Sequence, residues 1–115
     1  MRTIAAKDGD QINNLGKRFE KNATEVTFNF SAIAADHPDA TYTLFHKRDG
    51  DKDSYQVAQF ASEGGQCIWT VDDKDTAVAG YGSAEVVIED ENYRKKSVTY
   101  KTLVMESITS QEGGE

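Results

Sequence analysis

The residues best suited to catalysis or metal binding are one cysteine, Cys67, and two histidines, His37 and His46. A catalytic cysteine needs a neighbouring base and a group that orients that base. Cys67 lies in an alternating run two residues before Trp69 and on the same side of it, which predicts a buried, structural thiol. His37 precedes the only proline in a predicted turn, and His46 is predicted to be a surface or edge side chain of a strand. Their spacing matches no zinc site, so no catalytic residue, metal site or cofactor is predicted.

Two acidic turns are the next candidates, because clustered carboxylates can bind calcium. Residues 49–53 read Asp-Gly-Asp-Lys-Asp, which is how a helix-flanked calcium loop begins. That loop needs glycine at its sixth position and glutamate at its twelfth, where this sequence has Ser54 and Phe60. Residues 72–75, Asp-Asp-Lys-Asp, form a similar charged connection. We predict that both are solvated turns, and an ion shared between them at one end of the fold stays open as an alternative.

Four aromatic residues could form a platform for sugar rings, as in carbohydrate-binding modules: Trp69, Tyr81, Tyr93 and Tyr100. A lone tryptophan centred in an alternating strand usually packs in a core, so Trp69 is predicted to be buried. Tyr81 and Tyr93 lie in predicted turns, and we predict that they make exposed contacts with a partner. A glycan is therefore kept as an alternative ligand.

Charge is distributed unevenly along the chain, whose net charge is −7. Residues 1–24 carry five Lys/Arg against three Asp/Glu, whereas the other 91 residues carry eight against seventeen. An acidic body repels phosphate backbones and anionic lipid surfaces, so neither nucleic acid nor a membrane is predicted as a partner. The positive segment suits the negative surface of a neighbouring protein, and Arg2, Lys17 and Arg18 are the predicted contact residues.

Alternation of apolar and polar residues with a period of two is the main structural signal. It predicts strands at 26–30, 41–48, 55–60, 66–71, 84–88 and 98–105. Residues 80–82, Gly-Tyr-Gly, are predicted to form a bend or bulge before the next strand. The polar connections are too short for parallel crossovers, so the predicted fold class is all-β, an antiparallel β-sandwich or barrel.

The predicted boundaries are 1–24 for an N-terminal arm or edge segment, 25–107 for the β-sandwich domain, and 108–115 for a flexible tail. Apolar residues between positions 12 and 19 also have helical spacing, which leaves a helix open as an alternative for the first segment. A single cysteine excludes an intrachain disulfide. The first residues lack the apolar run of a signal peptide, so synthesis in the cytoplasm is expected.

From about residue 24 to residue 107, the order of features resembles the N-terminal domain of the phage baseplate upper protein family. The features that carry the resemblance are VTFNF at 26–30, FHKRDG at 45–50, IWTV at 68–71, AGYG at 79–82, AEVVI at 84–88 and KSVTY at 96–100. The resemblance implies an immunoglobulin-like antiparallel β-sandwich that anchors a receptor-binding or fibre component to a phage or prophage tail. It implies no catalytic residues.

The leading hypothesis is a non-enzymatic structural module of a virion tail, made in the host cytoplasm. Its expected partners are other virion or tail proteins, or further copies of itself. The alternative is a carbohydrate-binding β-sandwich that recognises host cell-wall glycans. A small hydrolase is a third hypothesis, and it would need a pocket that holds a histidine or a pair of carboxylates.

Overall fold

A computed structural model describes residues 1–109, and in this part of the chain two mixed β-sheets stack as a sandwich. The strands are, in chain order, β1 (Arg2–Ala5), β2 (Ile12–Lys17), β3 (Thr24–Asn29), β4 (Thr41–Lys47), β5 (Tyr55–Gln56), β6 (Phe60–Glu63), β7 (Gln66–Thr70), β8 (Gly80–Asp90), β9 (Tyr93–Lys96) and β10 (Tyr100–Met105). One short helix, α1 (Ser31–Asp36), joins β3 to β4. The flexible tail predicted for 108–115 lies, from residue 110 onwards, outside the described residues.

Sheet 1 has the strand order β1-β3-β7-β6. β3, β7 and β6 pair with one another in the antiparallel sense, and β1 lies beside β3 in the parallel sense with Ile4 opposite Val26. Both edges of this sheet are therefore single short strands.

Sheet 2 has the order β2-β10-β8-β4-β5, with β9 also paired to β8. The 11-residue strand β8 is its central element, since β4, β9 and β10 all pair with it. β9 and β10 lie on the same side of β8, and Ser97 between them binds the backbone of Val86 from both its amide and its hydroxyl. At the edge, β2 pairs with β10 in the parallel sense.

The prediction of a purely antiparallel sandwich is wrong for the two N-terminal strands. Parallel neighbours need a connection that brings the chain back to the same end of the sheet. The chain leaves sheet 1 after β1, runs through sheet 2 as β2, and returns to sheet 1 as β3. Residues 1–24 thus supply one edge strand to each sheet, and they contain no helix.

The core lies between the sheets and consists mainly of side chains that alternation assigned to the inward faces, with Leu15 and Val57 in addition. The buried apolar residues are Leu15, Val26, Phe28, Leu44, Val57, Cys67, Trp69, Val71, Ala84, Val86, Ile88 and Val104. Burial of Cys67 and Trp69 confirms their predicted structural roles, and desolvation raises the pKa of the Cys67 thiol to about 12. A thiol with that pKa is a poor nucleophile near neutral pH.

Two local predictions differ from the structure, and one element was not predicted. The single weak strand predicted at 55–60 is split into β5 and β6. Residues 80–82, predicted as a bend or bulge, instead form the start of β8. Glycine is needed at position 82 because any Cβ there would collide with the carbonyl oxygen of Lys47. The missed element is the short helix α1. No helix in residues 1–109 is long and apolar enough to cross a membrane.

Candidate functional site

Arg2 and Lys17, two of the predicted contact residues, lie together where the edges of the two sheets meet. The Arg2 guanidinium donates to the carbonyl of Asn14 in β2 and, at 3.2 Å, to the hydroxyl of Thr24 in β3. It therefore ties the edge of sheet 1 to the edge of sheet 2. Lys17 and Arg2 line a hollow of about 310 Å³, and the Lys17 side chain is exposed. Glu20 also lines the hollow, so this positive corner carries two positive side chains and one negative one, and its role in partner contacts stays a prediction.

Arg18 lies beside that corner but is held by contacts within the chain. Its Nε donates to the carbonyl of Ala77 at 3.0 Å, and its guanidinium lies 3.6 Å from the carboxylate of Glu106. The same guanidinium stacks over the ring of Phe19, with 4.6 Å between its central carbon and the ring centroid. Arg18 thus does not line the hollow, and its guanidinium is largely occupied by partners within the chain.

Tyr81 is exposed, as predicted, although it lies in β8 rather than in a turn. Its side chain is 66% exposed on the outer face of sheet 2, where its backbone pairs with Leu103. It borders an open groove of about 680 Å³ together with Ile12, Lys47 and Lys101. The groove is not strongly basic, because Lys101 is paired with Asp10 at 3.0 Å.

Tyr93 does not join Tyr81. It begins β9 at the opposite end of β8 and stacks on the ring of His37, with ring centroids 3.8 Å apart and planes 17° apart. His37 in turn binds the carboxylate of Asp90 through Nδ1 at 2.9 Å. Tyr93 is half-buried against the core, so it braces the link between α1 and β4 and offers only part of its ring to a partner.

The outer face of sheet 2 carries Tyr81, which the sequence predicted as a contact residue, and five other apolar side chains that the prediction missed. They project away from the core at alternate positions of four strands, and they are Ile12, Phe45, Tyr81, Val87, Leu103 and Met105. The signal was present in the sequence as apolar residues out of phase with the core positions. Mixed with exposed lysines, these residues form a surface on which a protein partner could dock.

The prediction that His46 is a surface or edge side chain is wrong, since it is 1% exposed. Its Nδ1 lies 2.8 Å from the hydroxyl of Tyr55, and that hydroxyl donates to Asp75. A hydroxyl has one proton, so His46 must donate the first bond from Nδ1. Its Nε2 lies 3.3 Å from the hydroxyl of Thr102. Each polar atom of the imidazole therefore has a partner inside the core.

Asp75 holds this network together, although the sequence placed it in a solvated turn. Its carboxylate also accepts from the indole N–H of Trp69 and the amide of Asp72, both at 2.9 Å. Burial alone would raise the pKa of Asp75, but the imidazole of His46, 3.7 Å from the carboxylate, and the hydrogen bonds from Tyr55, Asp72 and Trp69 outweigh burial and lower it. Burial, together with the bond to Asp75, raises the pKa of Tyr55 far above its ordinary value. Asp75 is thus an ionised, buried anchor for the charged connection.

The acidic turn at 49–53 is organised by an ion pair. Arg48 donates to both carboxylate oxygens of Asp51, at 2.8 and 3.0 Å, and its guanidinium also donates to the carbonyl of Lys74 in the second acidic connection. This pairing lowers the pKa of Asp51. Arg48 thus joins the two acidic turns that the sequence considered for a shared ion. Within residues 1–109, no group of three or more His, Cys, Asp or Glu side chains is placed to hold a metal.

No protein-family model and no curated protein sequence matches the chain. Among solved structures, the fold is similar to the N-terminal domain of phage TP901-1 ORF48, with a TM-score of 0.51. The match covers 90% of this chain and 94% of that chain at 9% sequence identity. The likeness is one of fold. It extends over both sheets, because a match of this coverage leaves few of the described residues outside it.

Proposed function

We propose that the chain is a non-enzymatic structural module of a phage or prophage tail, which anchors neighbouring virion proteins through protein–protein contacts. The observation that carries the proposal is the similarity of fold, over nine-tenths of both chains, to a domain of a phage protein. The order of strands, turns and glycines resembles the baseplate upper protein family independently, which favours the baseplate as the position in the tail. Fold alone does not dictate function, so the surface must support the same conclusion.

The distribution of polar and apolar groups supports an assembly role. The positive corner around Arg2 and Lys17 and the apolar outer face of sheet 2 are both open in the described part of the chain. The remainder of the chain is acidic. Complementary surfaces of this kind steer association and fix the register of neighbouring subunits. The acidic net charge supports a partner that is neither nucleic acid nor an anionic membrane.

The burial of the polar core residues supports a non-enzymatic role. His46 and Asp75 resemble part of a catalytic constellation, but each is 1% exposed and each is occupied by core partners. A general base must reach the proton that it removes from a substrate. These two side chains stabilise the sandwich instead.

A glycan is not favoured as the ligand, because the aromatic side chains are dispersed. Trp69 is buried, Tyr100 packs against the core edge-on to Phe28, and Tyr93 stacks on His37. Tyr81 is the exposed aromatic of the predicted platform. A sugar platform would need two or three such rings side by side.

We further propose that the sandwich is immunoglobulin-like, with the parallel strands β1 and β2 as additions at its edges. A tryptophan buried at the centre of one sheet is a feature of that fold, and Trp69 occupies such a place in β7. The pairings of β3, β6 and β7 and of β4, β8 and β10 are antiparallel, as the fold requires.

The proposal is tested by finding the chain in particles. Tailed particles are induced from the cell that encodes the chain, purified on a density gradient and quantified by mass spectrometry against their major tail protein. We expect the chain to co-purify at a fixed ratio and to resist washing with moderate salt. Particles from cells in which its gene is deleted should also lack the virion proteins that this chain anchors. Particles that lack the chain, with all of it in the soluble fraction, would contradict the proposal.

A further inference from the structure

We propose that copies of this chain join head to tail by strand addition, with β6 of one copy pairing beside β1 of the next so that sheet 1 continues from copy to copy. β1 and β6 are the two outer strands of sheet 1, so each copy offers one edge of either kind. The inference rests on the proposed function, since it names the partner of an assembly module.

The open side of β1 is a regular row of backbone groups. On the other side, the amides of Arg2 and Ala6 donate to Ala23 and Thr27, at 2.9 and 2.8 Å. Because backbone groups alternate along a strand, the amides and carbonyls of Thr3 and Ala5 point away from β3. β1 has no further strand beside it among residues 1–109. An unpaired row of this kind is a template for another chain.

The open side of β6 offers the complementary row. The amide of Thr70 donates to the carbonyl of Gln59 at 2.9 Å, which fixes the alternation of the antiparallel β6–β7 pair. In that register Ala61 and Glu63 face β7, and the amides and carbonyls of Phe60 and Ser62 point outwards. Each open row therefore consists of two residues with one residue between them: Thr3 and Ala5 in β1, and Phe60 and Ser62 in β6.

The directions of the strands suit a head-to-tail contact. β1 is parallel to β3, and β6 is also parallel to β3 because two antiparallel steps through β7 lie between them. A copy related by rotation about an axis along the strands would therefore place β6 parallel to β1. A contact between different surfaces repeats from copy to copy, and it closes into a ring when the rotation divides a full turn.

Side chains and charge select one register and this pair of edges. When Ala5 lies opposite Ala61, small residues meet on the outer face, and Ile4 and Phe60 meet on the inner face. Extended two residues past the end of β1, the same register would bring Lys7, whose backbone is bonded to the side chain of Asn13, near Glu63. Neither Lys7 nor Glu63 has an ion pair within residues 1–109. Opposite charges across strands are stabilising and like charges are destabilising.

A two-fold pairing of β1 with itself is disfavoured by the same charges. The strand is flanked by Arg2 and Lys7, and an antiparallel copy would bring the positive residues of one strand beside those of the other. β6 provides a negative residue at the matching end, in Glu63. A second copy in the head-to-tail arrangement is therefore the occupant that fits the edge.

The test measures the mass of the full chain by sedimentation velocity over a range of concentrations, with Ala5→Pro and Ala5→Thr as a matched pair. Ala5→Pro removes an amide that faces outwards, which is tolerated on an edge strand, whereas Ala5→Thr keeps that amide. We expect the unaltered chain and A5T to associate in a concentration-dependent way, and A5P to associate at least about tenfold more weakly. Ser62→Pro should act like A5P from the other edge, and circular dichroism checks that each variant is folded.

A charge exchange makes the register testable without proline. Lys7→Glu or Glu63→Lys should each weaken association roughly three- to tenfold, and the double variant should restore it. A chain that stays monomeric at every concentration, or proline variants that associate like the unaltered chain, would overturn the inference. A monomeric chain that is still found at a fixed ratio in purified tails would leave the proposed function standing. A chain that associates as proposed but is absent from purified tails would support strand addition and contradict the proposed function.

Discussion

The Asp75 network in the core and strand β1 at the edge of sheet 1 differ in whether their polar groups have hydrogen-bond partners within the chain. In the core, Asp75, Tyr55, His46 and Trp69 satisfy one another through hydrogen bonds. At the rim, alternate amides and carbonyls of β1 have no strand beside them in the described part of the chain. The first arrangement stabilises a single folded state, and the second leaves hydrogen-bonding capacity for another chain. Stability and assembly should therefore respond to separate substitutions.

Strand β2 shows that an open edge is not a necessary result of a parallel N-terminal strand. Its Asn14 carbonyl accepts from Arg2, and its Gly16 amide donates to the Asn14 side chain at 2.9 Å. The pairing with β10 is interrupted by a bulge at Gly16, whose φ of +114° suits glycine alone. The β2 edge of sheet 2 is thus capped by the side chains of Arg2 and Asn14, whereas the β1 edge of sheet 1 is not capped in this way.

The largest expected effect comes from removing the anchor of the core network. Asp75→Ala deprives the Trp69 indole, the Tyr55 hydroxyl and the Asp72 amide of their acceptor, so we expect a loss of about 3–5 kcal/mol in unfolding free energy. Chemical denaturation measures it. Asp53→Ala, at an exposed acidic residue, is the matched control and should change stability by less than about 0.5 kcal/mol. A loss of less than about 1 kcal/mol for Asp75→Ala would show that the network contributes little.

Two tyrosines give a sharper test of the same contrast within the core. Tyr55→Phe should cost about 1–3 kcal/mol, because His46 and Asp75 each lose a partner. The hydroxyl of Tyr42 is the one buried side-chain polar atom of residues 1–109 that has no hydrogen-bond partner. Removing it in Tyr42→Phe should therefore be neutral within about 0.5 kcal/mol, or slightly stabilising. Equal losses for the two variants would mean that the hydrogen bonds of the Tyr55 hydroxyl contribute no more to stability than the unpartnered hydroxyl of Tyr42.

Acid should weaken the fold through Asp75. Its pKa is lower in the folded state than the ordinary value of 3.8, so its contribution is fully present above that value. The contribution is lost as the pH falls through the lower, folded-state pKa. Denaturation curves between neutral pH and strongly acidic pH should show this loss in the unaltered chain, and Asp75→Asn should flatten part of the pH dependence. An unchanged pH profile in Asp75→Asn would assign the acid sensitivity to other carboxylates, such as Asp51, whose pKa is also lowered.

The smallest expected effect concerns the capped edge. Asn14→Ala removes the acceptor of the Gly16 amide, so we expect a loss of about 1 kcal/mol and faster hydrogen exchange at Gly16. In the monomer, the amides of Thr3 and Ala5 on the open edge of β1 should exchange quickly before any substitution. Slow exchange at Thr3 and Ala5 in dilute solution would contradict the distinction between the two edges.

Sequence alternation predicted the inward faces well where a strand has one buried side. The burial of Val26 and Phe28, of Cys67 and Trp69, and of the β8 positions follows directly from a period of two. The same rule could have placed His46, which lies two residues after Leu44 and therefore on the same face. Its polarity suggested the surface, because the hydrogen-bond partners that make burial possible, Tyr55 and Thr102, come from strands 9 and 56 residues later.

The remaining differences between the predictions and the structure arise from contacts between residues far apart in the sequence. Nothing local in residues 1–24 distinguishes an edge strand from a helix, because the pairing partners of β1 and β2 are supplied by β3 and β10. Of the predicted contact residues, Arg2 and Lys17 meet only because two sheet edges converge. Tyr81 and Tyr93 separate because they lie at opposite ends of the long strand β8 and its neighbour β9. Charge segregation was readable from the sequence, but its geometry was not.

The most direct measurement is a cryo-EM reconstruction of the purified tails. The central claim is that this chain is a structural module of the tail. It predicts density for the two-sheet sandwich, repeated around the tail axis, with the positive corner or the outer face of sheet 2 against a neighbouring protein. The strand-addition proposal further predicts continuous sheet density from β6 of one copy to β1 of the next. Well-resolved tails in which no density fits the sandwich would contradict the claim.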